Sequence, residues 1–406
     1  MKKIFLSCGD GHFNLGDEAI TASIVTNLRK LRKDIDITIF SSDPERTKKL
    51  HGTNSIKMEM SAFGFITGIF RMLRFFSKMD LLVWGGGNLI TDAPSQLFIP
   101  FHLTKVFLAK LMGKKVIVYG IGVGPLTGSF GKFLTRVIIN KADVITVRDE
   151  ESRKILIDVG VKKPPIYVTA DPAINLEPAK QSRVMQLMKR DGIIKKTGQT
   201  LVAVVPRRIF HRKSSSIIPV KYKVKFGIID RESKIKFERF EETIARAADY
   251  LKEKLDARIV FIPMQMSSSQ QQQDDKISAE IIQKMKYKKN TCIVNSNKYK
   301  MNELKGVYRQ MDLILGVRFH ALVFACSMEK LIVSIPYSPK GRRLISYLGI
   351  ERYAIPAEEV KYENLTEKIE LVLSNKELMK KNFKEKSKIL EEKAKFNVKL
   401  VLDMLK

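Results

Sequence analysis

The sequence has few cysteines and no long apolar run. Its three cysteines, Cys8, Cys292 and Cys326, lack the paired spacing of a zinc site. Cys8 and Cys326 fall in apolar stretches, so we interpret them as reduced core thiols of a cytoplasmic protein. No stretch of about 18 uninterrupted apolar residues occurs, and no transmembrane helix is expected.

The motifs of several enzyme classes are also missing. The loop that contains Gly9 and Gly11 carries Asn14 where a dinucleotide fingerprint has its third glycine, and no Gly-Lys-Ser/Thr follows as in a P-loop. The five histidines lie far apart and no nucleophile elbow occurs. No set of side chains has metal-ligand spacing, and we interpret Asp274 and Asp275 as a helix cap. We therefore expect no metal and no organic cofactor.

Acidic residues are in a clear minority. The chain has 73 lysines and arginines against 43 aspartates and glutamates, a net charge of +30. This balance favours acidic partners such as phosphorylated substrates or anionic lipid headgroups. The basic residues are spread along the chain, and no nucleic-acid motif with interleaved aromatics stands out, so we predict no nucleic-acid partner.

What the sequence does contain is a series of short apolar segments that alternate with helical patterns. This alternation is typical of an α/β protein with parallel sheets, and 406 residues predict about two domains. We expect one α/β domain over residues 1–175 and a second over 200–355. The second carries a long basic loop over 207–236, and a helical segment over 356–406 follows.

Many of these strands end in loops of glycine and polar residues. In a parallel sheet such loops open on the same edge, where ligands bind. Asn14 and Asp17 are typical of a site for a hydroxylated ligand, although Asp17 can also cap the first helix. The remaining loop residues form a set that suits a small polyanion: Arg148, Arg207, Arg208, Arg318, His320 and Lys340.

Arg318 and His320 form the centre of this prediction. They follow the apolar strand 313–315 and precede an apolar helical run, where an unpaired polar group would be costly. If the chain is extended here, the two side chains point to the same side. The alternative is that Arg318 pairs with a buried carboxylate and that His320 is a satisfied core histidine.

Residues 61–79 are unusually apolar and aromatic, with three basic residues interspersed. This composition fits either an interfacial amphipathic helix or an ordinary core helix. Under the first interpretation, this segment and the basic loop 207–236 bring the protein to an anionic membrane surface.

Seven of the loops together resemble the polysaccharide pyruvyl transferase family. They occur in the family's order and span roughly residues 4–350. The departures are modest: Val123 stands where many members have a shorter glycine-proline turn, and the insertion at 207–236 is long and basic. The matching segments are NLGDEAI at 14–20, WGGGNLITD at 84–92, YGIGVGPL at 119–126, VRDEES at 147–152, TADP at 169–172, GVRFHA at 316–321 and IPYSPK at 335–340.

The resemblance implies two Rossmann-like domains that face each other across a cleft, as in glycosyltransferase-B enzymes. It implies transfer of pyruvate from phosphoenolpyruvate to a sugar of a cell-surface polysaccharide, or of its lipid-linked precursor, with formation of a ketal. The protein is expected to act in the cytoplasm. Peripheral contact with the inner membrane face is a further expectation.

The residues can be assigned to this reaction. His320 is the expected acid that protonates the donor, and Asp17 orients or deprotonates the acceptor hydroxyl. The remaining roles fall to two sets: Arg318, Arg148, Lys340 and Arg207 for the donor, and Asn14, Asn88 and Asp92 for the acceptor.

Two other functions remain open at this point. A nucleotide-sugar glycosyltransferase of the same architecture would need a carboxylate late in the second domain, for which Glu358 and Glu359 are candidates. A non-catalytic protein that binds anions or a membrane surface is the second alternative, and the presence of both Arg318 and His320 disfavours it.

Overall fold

The structure, a computed structural model, describes residues 1–11, 13–57, 62–193, 197–209, 231–266 and 273–406. These residues form two compact units. Unit 1 contains Met1–Leu176 and Leu390–Lys406, and unit 2 contains the described residues between Glu177 and Ile389. Each unit is built on one parallel sheet with helices, which confirms the predicted α/β class.

Unit 1 contains a seven-stranded sheet with the order β3-β2-β1-β4-β5-β6-β7. All neighbouring strands run parallel. The strands are β1 (Lys2–Asp10), β2 (Ile35–Ser41), β3 (Asn54–Lys57), β4 (Leu81–Gly85), β5 (Lys115–Ile121), β6 (Val144–Val147) and β7 (Ile166–Val168). The helices are α1 (Leu15–Leu31), α2 (Pro44–His51), α3 (Ala62–Phe76), α4 (Phe98–Leu111), α5 (Ser129–Ile139) and α6 (Glu150–Asp158).

The strand order of unit 1 reverses between β1 and β4. Strands β2 and β3 extend to one side of β1, whereas β4 to β7 extend to the other. The connections that follow β1 and β4 therefore run in opposite directions along the sheet, and open α/β sheets bind their ligands at such a point.

Unit 2 contains a five-stranded parallel sheet with the order β10-β9-β8-β11-β12. Its strands are β8 (Leu201–Val205), β9 (Arg258–Phe261), β10 (Thr291–Ile293), β11 (Leu313–Gly316) and β12 (Leu331–Ser334). Its helices are α7 (Gln181–Arg190), α8 (Arg231–Leu255), α9 (Asp274–Lys284), α10 (Met301–Gln310), α11 (Phe319–Ser327), α12 (Pro339–Leu348) and α13 (Tyr362–Ser374). The last helix, α14 (Lys376–Met404), begins in unit 2, and its residues from Leu390 onward belong to unit 1.

The central strands of the two sheets are buried on both of their faces. Every residue of β4 and of β8 is buried. A strand buried on both faces reads as a continuous apolar run and not as an alternation, which is why these strands were readable from the sequence.

Two sequence expectations need correction. Asp17 is not the cap of the first helix: α1 begins at Leu15, and Oδ1 of Asn14 accepts a hydrogen bond from the Gly16 N–H. The predicted basic loop 207–236 ends early, because α8 begins at Arg231. Residues 210–230 of that loop lie outside the described residues.

Residues 68–79 support the core interpretation of segment 61–79 for one face of α3. Met72 and Phe76 are buried, and the Phe76 ring meets those of Phe5 and Phe40 edge-on. Within the part of the chain that the structure describes, no helix is both long and apolar enough to cross a bilayer.

Candidate functional site

Arg318 and His320 lie where β11 ends, at the carboxyl edge of the unit 2 sheet. The sequence placed the Arg318 and His320 side chains on the same side of the chain if the backbone is extended through both residues. The backbone is not extended through both. Arg318 has extended backbone angles and precedes α11, whose first residue is Phe319. His320 is therefore the second residue of a helix, and the alternation of a strand does not apply to it.

Arg318 forms an ion pair with a buried carboxylate, as one of the two interpretations of the sequence predicted. Its Nε donates to Oδ2 of Asp274 at 2.9 Å, and its Nη2 donates to Oδ1 of the same residue. The exposed fractions of the two side chains are 7% and 1%. The pair fixes the plane of the guanidinium group, because two donors meet two acceptors.

Asp274 also holds a neighbouring loop. Its Oδ2 accepts hydrogen bonds from the N–H groups of Met264 and Gln265, each at 3.0 Å. Burial raises the pKa of the Asp274 carboxyl, and the positive charges of Arg318 and Arg207 act against that rise. One carboxylate thus joins the loop after β9 to the loop after β11.

The interpretation of Asp274 as a helix cap is wrong. Gln273 occupies the N-cap position of α9, and Asp274 is the first helical residue. Sequence reasoning missed the contact because Asp274 and Arg318 are 44 positions apart. Among the described residues, no group of three or more histidines, cysteines or carboxylates could hold a metal ion.

A small pocket adjoins the Arg318 guanidinium group. Its wall includes Ser334 at the end of β12 and the first turn of α12, and its other lining residues are Val317, Phe319, Leu322, Pro336, Tyr337, Ser338 and Gly341. Ser338 is the N-cap residue of α12, and its side chain makes no capping hydrogen bond. A helix N-terminus and a fixed arginine together favour an anion at this position.

Two further predicted cations lie at the same edge of the sheet. Nζ of Lys340 is 5.1 Å from the centre of the Phe319 ring. Cζ of Arg207 is 4.5 Å from the centre of the Tyr337 ring. Since Phe319 and Tyr337 both line the pocket, the fold brings Arg207, Arg318 and Lys340 to one place.

Arg148 belongs to unit 1, unlike the other predicted donor residues. Its Nη1 donates to Oδ2 of Asp171 at 3.2 Å, and 4% of its side chain is exposed. The guanidinium group lies against Gly122, where the Cβ of any other residue would be 2.3 Å from Nη2 of Arg148. These contacts connect the loops after β5, β6 and β7, and the assignment of Arg148 to the donor stays a prediction.

Asn14 and Asp17 lie at the point where the strand order of unit 1 reverses. Nδ2 of Asn14 donates to Oδ2 of Asp17 at 2.6 Å. A Cβ at Gly87, in the loop after β4, would be 3.7 Å from Oδ1 of Asp17. The loops after β1 and β4 thus meet at this carboxylate.

Asn88 and Asp92 hold the loop after β5. Nδ2 of Asn88 donates to the carbonyl of Gly124 at 2.9 Å. Asp92 is buried, and its Oδ2 accepts from the N–H and the hydroxyl of Thr127 and from the N–H of Gly128, at distances of 2.6–2.9 Å. The observed contacts of both residues are internal, and their assignment to the acceptor stays a prediction.

Glu18, Arg46 and His51 form a cluster near the loop after β1, and this cluster was not predicted from the sequence. Oε1 of Glu18 accepts from Nη1 of Arg46 at 2.6 Å, and Oε2 is 2.9 Å from Nε2 of His51. Burial acts to raise the pKa of Glu18, but the hydrogen bonds and charges of His51 and Arg46 outweigh it and the pKa is lowered. No local pattern predicts this cluster, because its members come from two different helices.

Solved structures with this architecture define the class of fold. UDP-GlcNAc 2-epimerase from Neisseria meningitidis, bound to UDP-GlcNAc, is similar with a TM-score of 0.63 and 13% identity over 99% of this chain and 100% of that chain. A glycosyltransferase from Rickettsia africae gives a TM-score of 0.60 at 13% identity over 100% and 99%. The Anabaena protein HepE in complex with UDP-glucose gives a TM-score of 0.58 at 12% identity over 100% and 99%. The fold is therefore of the glycosyltransferase-B-like class.

The sequence also assigns the family. The profile described as polysaccharide pyruvyl transferase matches residues 14–339, most of the chain. The chain belongs to this family, which confirms the resemblance, and the family's description is that of an enzyme with a polysaccharide as its acceptor. A search of curated proteins finds no match.

Proposed function

We propose that the protein transfers pyruvate from phosphoenolpyruvate to two hydroxyl groups of a sugar, forms a pyruvate ketal and releases phosphate. Family membership supports the transfer class, and the pocket beside Arg318 supports the choice of donor. Phosphoenolpyruvate is a small dianionic to trianionic molecule with a carboxylate and a phosphate. Both groups need cations or helix N-termini as partners.

The observation that carries the proposal is the orientation of Arg318. Its Nε and Nη2 are engaged by Asp274, and within the described residues it makes no other hydrogen bond. The Nη1 side of the guanidinium group is thus left for a ligand, in a side chain that lines the pocket. Because Asp274 fixes the guanidinium plane in advance, binding an anion costs little side-chain ordering.

The first turn of α12 supplies the second anion partner. Here the N-cap hydroxyl of Ser338 is not used for capping, and Lys340 follows two residues later. We assign the donor phosphate to this turn and the donor carboxylate to Arg318 and Arg207. A flexible ammonium group suits a phosphate as a point charge, whereas the planar guanidinium groups suit a carboxylate.

The reaction then needs one acid and one base. We assign the acid to His320, which gives a proton to the methylene carbon of the donor, so that the neighbouring carbon becomes electrophilic. One sugar hydroxyl adds to that carbon and gives up its proton, and we assign Asn14 and Asp17 to this hydroxyl.

The second sugar hydroxyl completes the ketal. It adds to the same carbon, the bond from that carbon to the phosphate oxygen breaks, and its proton leaves with phosphate. The cations that held the donor stabilise the charge that develops on the phosphate. In the net reaction, one of the two hydroxyl protons makes up for the proton that His320 gave to the new methyl group. The other leaves with the phosphate.

The test is phosphate release from phosphoenolpyruvate in the presence of a panel of free and lipid-linked glycans, with mass spectrometry of the glycan product. We expect phosphate and ketal in equal amounts with at least one glycan. A parallel series with UDP-sugars addresses the nucleotide-sugar alternative. Turnover of a UDP-sugar without turnover of phosphoenolpyruvate would reject the proposal.

A pair of variants on α12 ties the activity to the pocket. Lys340→Met should raise the KM for phosphoenolpyruvate by at least about tenfold, because a charge-assisted contact to the phosphate is lost. Arg342→Met is the matched control, since Arg342 is half exposed and pairs with Glu358 on the surface. Equal effects of both variants would indicate a general change of charge and not a specific donor site.

A further inference from the structure

Unit 1 exposes large apolar side chains on the outward faces of three helices. We call this surface the α3–α5 face, and its apolar members are Phe70, Phe107, Leu111, Phe130, Phe133 and Val137. They are between 41% and 70% exposed. Among the residues that the structure describes, every largely exposed phenylalanine lies on this face.

The three helices lie side by side. Near the starts of α4 and α5, a Cβ at Gly131 would be 2.9 Å from Cδ1 of Ile99, so the two helices are in close contact. Near their ends, Nζ of Lys110 is 2.9 Å from the carboxylate of Asp143. Nζ of Lys114, after α4, donates to the carbonyl of Ser77, after α3.

The inner faces of these helices share one core. Met72 of α3, Leu103 of α4 and Ile138 of α5 belong to the same buried apolar cluster, which also contains Trp84 of the sheet. Since all three helices pack toward this core, their outward residues face the same side of unit 1.

On α5 the outward residues form a narrow stripe. Phe130, Phe133 and Val137 recur at the spacing of one helix face, whereas Gly131, Thr135 and Ile138 of the opposite face are buried. Nothing in the described part of unit 1 covers this stripe, because Phe130 and Phe133 are 62% and 59% exposed.

The charged side chains of the three helices themselves are all basic. No aspartate or glutamate occurs in α3, α4 or α5, although the chain has 43 acidic residues. Arg71 and Arg74 are exposed and neighbour Phe70 on α3, and Lys132 and Arg136 are exposed and neighbour Phe133 on α5. A second copy of the chain is a poor partner, because a symmetric contact would oppose like charges.

We infer that the α3–α5 face binds the surface of an anionic lipid bilayer. Aromatic and aliphatic side chains beside lysines and arginines are the composition of helices that lie in the headgroup region. The rings and Leu111 enter the boundary between headgroups and acyl chains, and the cations contact the lipid phosphates. The inference goes beyond the proposed reaction and does not depend on it.

The test is co-sedimentation of the full chain with lipid vesicles, without any substrate. Vesicles of phosphatidylcholine with phosphatidylglycerol should bind the protein, and vesicles of phosphatidylcholine alone should bind it much more weakly. High salt should weaken binding to the anionic vesicles, because it screens the exposed charges.

Two pairs of substitutions locate the surface. Arg71→Glu with Arg74→Glu should weaken binding by at least about 25-fold, since each basic residue near the membrane contributes about a factor of five. Phe130→Ser with Phe133→Ser should weaken it by about tenfold or more, because two apolar rings no longer leave water. All four positions are exposed, so the melting temperature should stay close to that of the wild type.

Matched control pairs use exposed residues elsewhere. Leu31→Ser with Leu378→Ser removes apolar side chains that are 66% and 54% exposed. Lys189→Glu with Lys399→Glu makes the same change of net charge at two other exposed positions. Both control pairs should bind vesicles nearly as well as the wild type.

A fluorescence variant gives an independent measurement. The single natural tryptophan, Trp84, is fully buried and provides a constant background. In Phe130→Trp, the introduced indole should shift its emission to shorter wavelength when anionic vesicles are added.

Three results would overturn the inference. The first is equal weakening by the control pairs and the test pairs, which would indicate attraction by the overall net charge. The second is an unshifted emission of Phe130→Trp on vesicles that bind the protein. The third is self-association that Phe130→Ser with Phe133→Ser abolishes without any vesicle binding, which would make the face a contact between two copies of the chain.

Discussion

Replacing Asp274 with asparagine tests the ion pair that holds Arg318. The substitution keeps the size of the side chain and removes its negative charge. Arg318 then retains its positive charge inside unit 2, where only 7% of its side chain is exposed to water. The N–H groups of Met264 and Gln265 also lose their charged acceptor.

The expected loss in the free energy of unfolding follows from these contacts. Removing one partner of a buried ion pair costs about 3–5 kcal/mol. Asparagine retains one oxygen that can accept from Met264 or Gln265, so we expect about 3 kcal/mol, near the lower end of that range. For a unit of this size, the melting temperature of unit 2 should fall by about 6–12 °C.

Urea unfolding of the wild type, Asp274→Asn, Arg318→Met and the double variant measures the coupling between the two side chains. The double variant should lose less stability than the sum of the single variants, because no unpaired charge then remains. Amide hydrogen exchange at Met264 and Gln265 should also be faster in Asp274→Asn.

A small loss of stability in Asp274→Asn would mean that the Asp274 carboxyl is not charged in the folded state. Burial raises the pKa of Asp274, and a carboxyl that is protonated in the folded state could be replaced by asparagine at little cost. A loss smaller than about 1 kcal/mol, or strictly additive single effects, would therefore refute the charged pair.

The other predictions concern the reaction and the pH dependence of stability. Arg318→Lys should weaken phosphoenolpyruvate binding, because a point charge cannot replace a planar fork, whereas His320→Gln should keep binding and lower turnover by about 10²–10⁴-fold. Calorimetry of binding and the pH–rate profile check both, and loss of binding in His320→Gln would make His320 a donor ligand. Asp17→Asn should keep donor binding and lose turnover, with little change in melting temperature because Asn14 is the helix cap; loss of donor binding would contradict the acceptor assignment. Burial, followed by the neighbouring Glu280, raises the pKa of Glu241 from 4.5 to about 7, so the folded state binds a proton that the unfolded state releases, and stability falls as the pH rises through this window. Glu241→Gln should thus unfold like the wild type at about pH 4 and be more stable by about 2 kcal/mol at about pH 8; a difference that does not change with pH would exclude this account.

Much of the fold was predictable because its causes are local. Strands buried on both faces read as continuous apolar runs, and the segments 81–85 and 201–205 are strands with every residue buried. Parallel strands place their following loops on one edge, so Arg207, Arg318 and Lys340 were expected near each other in unit 2. The family could also be recognised from the sequence, because its short loop motifs occur along this chain in the family's order.

Boundaries and caps were less predictable, since several residues can satisfy the same local requirement. Both Asn14 and Asp17 are good cap residues, and the backbone of the first loop selects Asn14. The start of α11 at Phe319 likewise depends on the backbone of the turn after β11. Because His320 is in this helix, Arg318 and His320 do not follow the side-chain alternation of a strand, which the sequence suggested for them.

The sequence by itself thus determined the class of fold, the family and most of the charged residues at the edges of the sheets. The tertiary structure alone decided their partners: Asp274 for Arg318, Asp171 with Gly122 for Arg148, and Glu18 for Arg46 and His51. The physical reason is that a buried charge needs a partner within hydrogen-bond distance, whereas its position along the chain is unconstrained. Composition shows that the cations exist, and only the folded chain shows which carboxylates hold them and which face of unit 1 remains apolar.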